Sequence, residues 1–201
     1  MKRLLYGCAM GFALNSLLLA QDVTIRERRV FAFSEGGSIH LQLSSGDYTV
    51  RAGQSDRVVI QWKANSPEDE KDMKKIKVAA TVKGNAASIR TEGPTKHARL
   101  VIEIPARSDL YLRMRAGDMR ITGIDGNKDI HMTAGDLKID APPASYSHVH
   151  ASVTFGDLQA TALGISQDGI ARAFDWNGTG KYTLRATLFA GDLTLGPEHA
   201  H

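Results

Sequence analysis

The sequence predicts an all-β protein and, within that class, a β-solenoid whose successive turns stack as layers. The segments RMRAGDMRI (113–121) and HMTAGDLKI (131–139) are nearly the same, and such recurrence is typical of repeat architectures. Apolar and polar residues also alternate on both sides of each Gly-Asp pair, as they do on strands with one buried face. A β-sandwich made of hairpins is the alternative, because it joins short strands by equally tight turns.

Residues 1–20 carry the pattern of a secretory signal peptide. Lys2 and Arg3 precede the apolar stretch 4–19, which is short and interrupted for a membrane span. An uncleaved membrane anchor and a lipoprotein modified at Cys8 are the alternatives. Cleavage would remove the only cysteine and lower the formal net charge of +3 by two, so neither disulfide chemistry nor bulk nucleic-acid binding is expected.

One short helix is predicted near 67–75, where NSPEDE interrupts the strand pattern. Ser66 has the character of an N-cap residue, and Pro67 suits the first helical position. The rest of the chain after the signal peptide is expected to be strands and turns of one domain. The predicted parts are the signal peptide (1–20) and a single domain (21–201) with an irregular half (21–108) and tandem repeats (109–196).

Each Gly-Asp pair is predicted to form a structural corner between two strands. Glycine permits a positive φ without a Cβ clash, and aspartate can hydrogen-bond the backbone of its own turn. The predicted corners are Gly46 and Asp47, Gly117 and Asp118, Gly135 and Asp136, Gly156 and Asp157, and Gly191 and Asp192.

Apolar residues at fixed distances from the later corners are predicted to point inward. They lie one, three and five residues before the glycine and two and four after it. In the first copy Ser45 and Tyr48 depart from this pattern, and 164–180 is expected to be a degenerate turn between the last two copies, closed by Phe174 or Trp176. The inward set is Ala116, Ala134, Phe155, Ala190, Met114, Met132, Val153, Leu188, Leu112, Ile130, Ala151, Ala186, Met119, Leu137, Leu158, Leu193, Ile121, Ile139, Ala160 and Leu195.

If the corners stack, their aspartates form a row of carboxylates. Calcium accepts carboxylate and carbonyl oxygens, but the GGxGxD nonapeptides of calcium-binding solenoids are absent from the sequence. No metal site is therefore predicted, and hydrogen bonding within each turn is the favoured role. The weaker metal candidates are Asp118, Asp136, Asp157 and Asp192.

The histidines and arginines of the strands offer two further surfaces. His148 and His150 would share one face of a strand, with His131 one copy earlier. A His-x-His pair suits zinc or copper, but no Cys, Asp or Glu at ligand spacing completes it, so these residues are predicted to be exposed strand positions. A basic face, interpreted as solvated surface with an anionic glycan site as the alternative, is predicted at Arg113, Arg115 and Arg120.

No catalytic or cofactor-binding residues are predicted. The sequence has no G-x-S-x-G elbow and no H-E-x-x-H motif, and NGTGK (177–181) lacks the spacing of a phosphate-binding loop. Since a fold does not decide a function, a carbohydrate-active enzyme on a β-helix scaffold is kept as an alternative.

Three long segments resemble the bacterial "putative adhesin" domain family of unknown function. They are FAFSEGGSIHLQLSSGDYTVRAG, RLVIEIPARSDLYLRMRAGDMRITGIDG and FDWNGTGKYTLRATLFAGDLTL. The resemblance covers most of 30–195 and implies a secreted or envelope-associated β-solenoid without catalytic activity. It supplies no catalytic residues.

These observations predict an exported, non-catalytic, adhesin-like module in the periplasm or at the cell surface. The expected partner is a glycan or an envelope protein, with no nucleic acid, no cofactor, and membrane contact only through an uncleaved signal segment. The alternatives are the carbohydrate-active enzyme and an envelope sensor or regulator that docks a protein.

Overall fold

The computed structural model describes residues 26–196, so the predicted signal peptide at 1–20 lies outside the described residues. Within this range the fold is all-β with one short α-helix, which confirms the predicted class. In chain order the strands are β1 (Arg26–Ala32), β2 (Ser38–Leu43), β3 (Asp47–Gly53), β4 (Arg57–Ala64), β5 (Lys77–Lys83), β6 (Ala86–Glu92), β7 (Ala98–Pro105), β8 (Asp109–Ala116), β9 (Met119–Thr122), β10 (Lys128–Ala134), β11 (Leu137–Ile139), β12 (Tyr146–Phe155), β13 (Leu158–Ala160), β14 (Ile165–Gln167), β15 (Ile170–Asn177), β16 (Tyr182–Ala190) and β17 (Leu193–Leu195).

The helical segment begins as a 3₁₀ turn at Pro67–Asp69 and continues as α1 (Glu70–Met73). Ser66 makes no capping bond to the backbone, because its hydroxyl donates to Oδ2 of Asp69 at 2.8 Å instead. Met73 is buried in the core, which holds the segment against the sheets. Within residues 26–196, no helix is long and apolar enough to cross a membrane. Further 3₁₀ turns span Thr95–His97, Pro143–Ser145 and Thr161–Leu163.

The strands form two mixed sheets. The nine-stranded sheet has the order β1-β4-β7-β3-β9-β11-β17-β13-β14, and the eight-stranded sheet has the order β15-β12-β16-β10-β8-β2-β6-β5. One face of each sheet contributes to a single hydrophobic core, with Leu112 from the eight-stranded sheet and Ile121 from the nine-stranded sheet among its members. These two layers agree with the sandwich alternative.

Each Gly-Asp corner carries the chain from the eight-stranded sheet to the nine-stranded sheet. The two strands that flank a corner are therefore not hydrogen-bonded to each other, as they would be in a hairpin. Equivalent strands of different copies lie side by side and parallel: Met132 is opposite Met114, and Leu137 is opposite Met119. Copies of the repeat thus pack on copies.

The order of these copies departs from the predicted solenoid, in which neighbours in sequence are neighbours in space. The repeat β16–β17 lies between β10–β11 and β12–β13. Residues 164–180 do not form a degenerate turn between the last two copies, because β14 and β15 pair antiparallel with β13 and β12 at the sheet edges. Phe174 does close the core at this end, and Trp176 packs against it.

The inward pattern is correct three and five residues before the glycine and two and four after it, where every predicted residue is buried. The prediction is wrong at the position directly before the glycine. Phe155 is 46% exposed, and Ala116, Ala134 and Ala190 are half-buried. The corner includes this residue, so the side-chain alternation of the strand ends one position earlier than predicted. Tyr48, which departs from the sequence pattern, is buried in the equivalent inward position.

Candidate functional site

The Gly-Asp corners form a hydrogen-bonded stack along one side of the molecule. The amide of Gly117 donates to the carbonyl of Ala134 at 3.1 Å, and the amide of Met119 donates to the carbonyl of Asp136 at 2.8 Å. The same pair of bonds joins the other neighbouring copies. Backbone amides and carbonyls therefore hold the corners together.

The aspartate side chains of the corners contribute little to these turns. Asp192 accepts a hydrogen bond from the amide of Asp157 at 3.2 Å, whereas Asp118 and Asp136 are exposed. Local burial, with the nearby carboxylates of Asp168 and Asp192, raises the pKa of Asp157. Within residues 26–196, no group of three His, Cys, Asp or Glu side chains is arranged to hold a metal ion.

The outer face of the eight-stranded sheet is mostly polar, although the rings of Tyr111 and Phe189 are also exposed on it. The pairing of β2 with β8 places His40 beside Tyr111, and their rings stack with centroids 4.6 Å apart and an angle of 7° between the ring planes. The next strands in the same row contribute Asp129 and Arg185, followed by His150. This surface belongs to a sheet that is buried on its other face, so its side chains are held on a rigid support.

A groove of about 940 Å³ crosses this face at the end nearest the corners. It passes over β6, β2, β8 and β10, and Lys96 reaches it from the 3₁₀ turn Thr95–His97. Among the residues that the structure describes, Glu92 is the only acidic residue that lines the groove. Its lining residues are Gln42, Leu43, Ser44, Ser45, Arg90, Thr91, Glu92, Gly93, Pro94, Lys96, Arg113, Met114, Arg115, His131, Met132 and Thr133.

The cations of the groove differ in how far they are neutralised. Arg90 donates to the neutral side-chain oxygen of Gln42, so its charge is retained. Arg113 lies 3.6 Å from a carboxylate oxygen of Asp129 and also donates to the carbonyl of Leu112. Within residues 26–196, the guanidinium of Arg115 has no hydrogen-bond or ion-pair partner, and the same holds for the ammonium group of Lys96, whose backbone carbonyl accepts from Asn65.

A hydroxyl network below the groove fixes its walls. The hydroxyls of Tyr48 and Thr91 lie 2.8 Å apart, and those of Ser44 and Thr95 lie 2.6 Å apart. The amide of Ser44 also donates to Thr91 Oγ1 at 3.1 Å. These contacts join β2, β3 and β6 to the turn that carries Lys96, so the spacing of the groove is set by buried hydrogen bonds.

The predicted basic face is only partly correct. Arg113 and Arg115 lie on β8 and line the groove. Arg120 lies on β9, which belongs to the nine-stranded sheet, because the corner at Gly117 turns the chain between them. Arg90 and Lys96 line the groove in place of Arg120. Their positions in the sequence do not indicate that they lie near Arg113 and Arg115.

His148 and His150 share the outer face as predicted, and pairing with β15 brings Asp175 to them. His150 Nδ1 lies 2.8 Å from Oδ1 of Asp175, and His148 Nε2 lies 3.4 Å from the same atom. His148 Nδ1 donates to Asn177 Oδ1 at 2.9 Å. Hydrogen bonding to His150 lowers the pKa of the Asp175 carboxyl.

A buried lysine is the polar feature that sequence reasoning missed. Lys128 is 2% exposed and donates to the carbonyl of Ile124 at 2.7 Å and to the hydroxyl of Tyr146 at 2.5 Å. Burial lowers the pKa of Lys128 to about 8, against the opposing effect of nearby aspartates, and burial raises the pKa of Tyr146. The sequence signal is a lysine at a position of the repeat where other copies have leucine: Lys128 pairs with Leu110 and with Leu184 on the neighbouring strands.

No protein-family model matches the chain, and no curated protein does either. Among solved structures, the chain is similar to a "putative cell adhesion protein" from Clostridium sporogenes, with a TM-score of 0.54 and 11% identity over 87% of this chain and 100% of that one. A "putative adhesin" from Bacteroides fragilis has a TM-score of 0.29 and 11% identity over 85% of this chain and 97% of that one. The likeness to the Clostridium sporogenes protein shows a shared fold.

Proposed function

We propose that this chain is an exported, non-catalytic, adhesin-like module of the bacterial cell envelope that binds a glycan in the groove of the eight-stranded sheet. The observation that carries the proposal is the groove itself. It has a volume of about 940 Å³, it is lined by cations and hydroxyls, and within residues 26–196 Glu92 supplies its single carboxylate. Its floor is one face of a packed sheet, and binding sites on rigid elements need little ordering when a ligand arrives.

A glycosidase requires more than the groove supplies. Glycoside hydrolysis uses a pair of carboxyl groups on opposite sides of the scissile bond. Within residues 26–196, Glu92 is the only Asp or Glu among the lining residues, and His131 Nε2 lies 2.8 Å from a carboxylate oxygen of Asp129. The lining therefore favours binding over hydrolysis by a pair of carboxyl groups.

The scaffold supports the same proposal. We take residues 21–201 to be one domain in which the strand–corner–strand copies form a solenoid-like stack with one copy out of sequence order. In this proposal the glycines and aspartates of the corners are structural, and the module is exported through residues 1–20. The fold shared with a protein named for cell adhesion is compatible with this role but does not establish it.

A glycan array with the purified protein tests the proposal. Binding should be detected and should decrease at least fivefold in Arg113→Ala, with no new reducing ends released from the bound polysaccharide. Lys138→Ala is the matched control, because Lys138 is an exposed cation on β11 of the opposite sheet. Release of reducing ends that depends on Glu92 would instead show an enzyme. Binding to envelope proteins alone would show the protein-docking alternative.

A further inference from the structure

We infer that the ligand of the groove is an acidic polysaccharide that runs across the strands and is held through its carboxylate or sulfate groups by Arg115 and Lys96. The inference rests on the proposed function, because it names the class of glycan. Both residues are exposed, and within residues 26–196 neither has an anionic partner. A polar surface that displays unneutralised cations in a concave site attracts anions.

The balance of charge in the groove supports an anion over a neutral sugar. Arg90 contacts only a neutral amide oxygen there, so it adds a third cation that no carboxylate offsets. Asp129 contacts Arg113 and His131 but is not itself among the lining residues. Within residues 26–196, Glu92 is therefore the only acid that lines the groove. A guanidinium can bind a carboxylate or a sulfate through two parallel hydrogen bonds, so Arg115 and Arg90 suit either group.

The spacing of the cations indicates a long ligand. Gln42 on β2 is opposite Arg90 on β6 and also opposite Arg113 on β8. Two strand spacings therefore separate the backbones of the two arginines, or about 10 Å. Cations are thus placed on separate strands, and an extended chain with repeated charges can meet them if it crosses the strands.

The neutral lining favours a polysaccharide over other polyanions. Gln42, Ser45 and Thr133 are exposed and present amide and hydroxyl groups, which can exchange hydrogen bonds with sugar hydroxyls. No Phe, Tyr or Trp among residues 26–196 lines the groove. Single-stranded nucleic acids are bound largely by stacking on aromatic rings, and protein interfaces are enriched in them.

Three polymers with one backbone test the inference: neutral dextran, carboxymethyl-dextran and dextran sulfate. Calorimetric titration of the purified protein at low salt should show binding to the two charged polymers and much weaker binding to dextran. Arg115→Ala and Lys96→Ala should each lower the affinity about tenfold, while Lys138→Ala stays within about twofold. Glu92→Gln should raise the affinity, and added salt should lower it. Circular dichroism of each variant checks that the fold is kept.

The outcomes separate this inference from the proposed function. The inference would be overturned if neutral dextran bound as tightly as the charged polymers, and if this binding were lost in Arg113→Ala but kept in Arg115→Ala and Lys96→Ala. That result would leave the glycan-binding role standing. An equal loss in Lys138→Ala would overturn it as well, because the attraction would then belong to the whole surface. Duplex DNA that binds as tightly as dextran sulfate, through the same residues, would overturn the polysaccharide class. Absence of binding to every glycan on the array overturns the proposed function itself.

Discussion

Gly135 lies against Gly117 so closely that a Cβ added to Gly135 would come within 2.0 Å of the carbonyl oxygen of Gly117. Gly135 also has a φ of +108°, which side chains of L-residues rarely adopt. Two independent constraints therefore require glycine at this corner. The close contact joins two copies of the repeat, so the copies can stack this closely only if the corner residue is glycine.

Gly135→Ala should lower the free energy of unfolding by about 2–4 kcal/mol, because the new methyl group meets a backbone oxygen that cannot move without shifting the next corner. Urea denaturation measures this change. Gly84→Ala is the matched control: Gly84 also has a positive φ, of +56°, but its added Cβ has nothing within 4 Å. The control should cost only about 1–2 kcal/mol of backbone strain. Equal losses at both sites would contradict the close stacking of the corners.

Leu188 and Phe189 test which face of β16 is buried. Leu188 is fully buried, whereas Phe189 is 52% exposed and its ring makes a T-shaped contact with that of Phe155. Leu188→Ala should destabilise the protein by about 2–5 kcal/mol through the cavity it leaves. Phe189→Ala should cost about 1 kcal/mol or less. Thermal unfolding of the two variants measures the difference, and a larger loss at Phe189 would mean that the register is shifted by one residue.

The pH dependence of stability should report the buried Lys128. Its pKa is lowered to about 8 in the folded state from 10.5, so the unfolded state binds more protons above pH 8. Stability should therefore rise by about 2 kcal/mol between pH 8 and 9.5. The pKa of Tyr146 is raised from 10.0, which lowers stability only above pH 10 and leaves this window to Lys128.

Urea denaturation at pH 8 and pH 9.5 measures the rise, with Lys128→Met as the comparison. Methionine is of similar length and has no charge, so the variant should lack this contribution to the pH dependence. A rise of the same size in the variant would assign it to other groups.

Tyr48→Phe should weaken the hydrogen-bond network that supports the groove without changing the charge of the lining residues. The substitution removes the hydroxyl that lies 2.8 Å from that of Thr91 and 3.3 Å from that of Ser44. The loss of one buried hydrogen bond should cost about 1 kcal/mol of stability. Affinity for carboxymethyl-dextran should also fall, by about twofold to threefold, because the walls of the groove lose part of their support. Unchanged stability in urea denaturation would contradict a structural role for this network.

The alternation around the corners was sufficient to predict the core of the repeats, because period two along a strand places Leu112 and Met114 on one face. It could not predict the spatial order of the copies. Parallel strands with the same pattern are equivalent neighbours, so β16 fits beside β10 as well as β12 does. The antiparallel edge strands β14 and β15 were missed because 164–180 has no regular alternation.

The candidate site was less predictable than the core. The sequence indicated a basic surface at Arg113 and Arg115, since both occupy outward positions of one strand. Arg90 and Lys96 reach the groove only because β6 pairs with β2 and a turn follows it. Such a contact between distant segments leaves no local signal. Tyr48 departs from the sequence pattern of the repeat, yet its side chain is buried and its hydroxyl hydrogen-bonds that of Thr91.

Nuclear magnetic resonance mapping tests the central claim of a ligand groove on the eight-stranded sheet most directly. Backbone amide shifts of the purified protein are followed during titration with carboxymethyl-dextran. The account predicts saturable shifts clustered at groove residues such as Ser44, Arg90 and Thr133, with small changes at Lys138 and Arg51 on the opposite sheet. Shifts clustered on the nine-stranded sheet, or no saturable shifts with any glycan bound on the array, would contradict it.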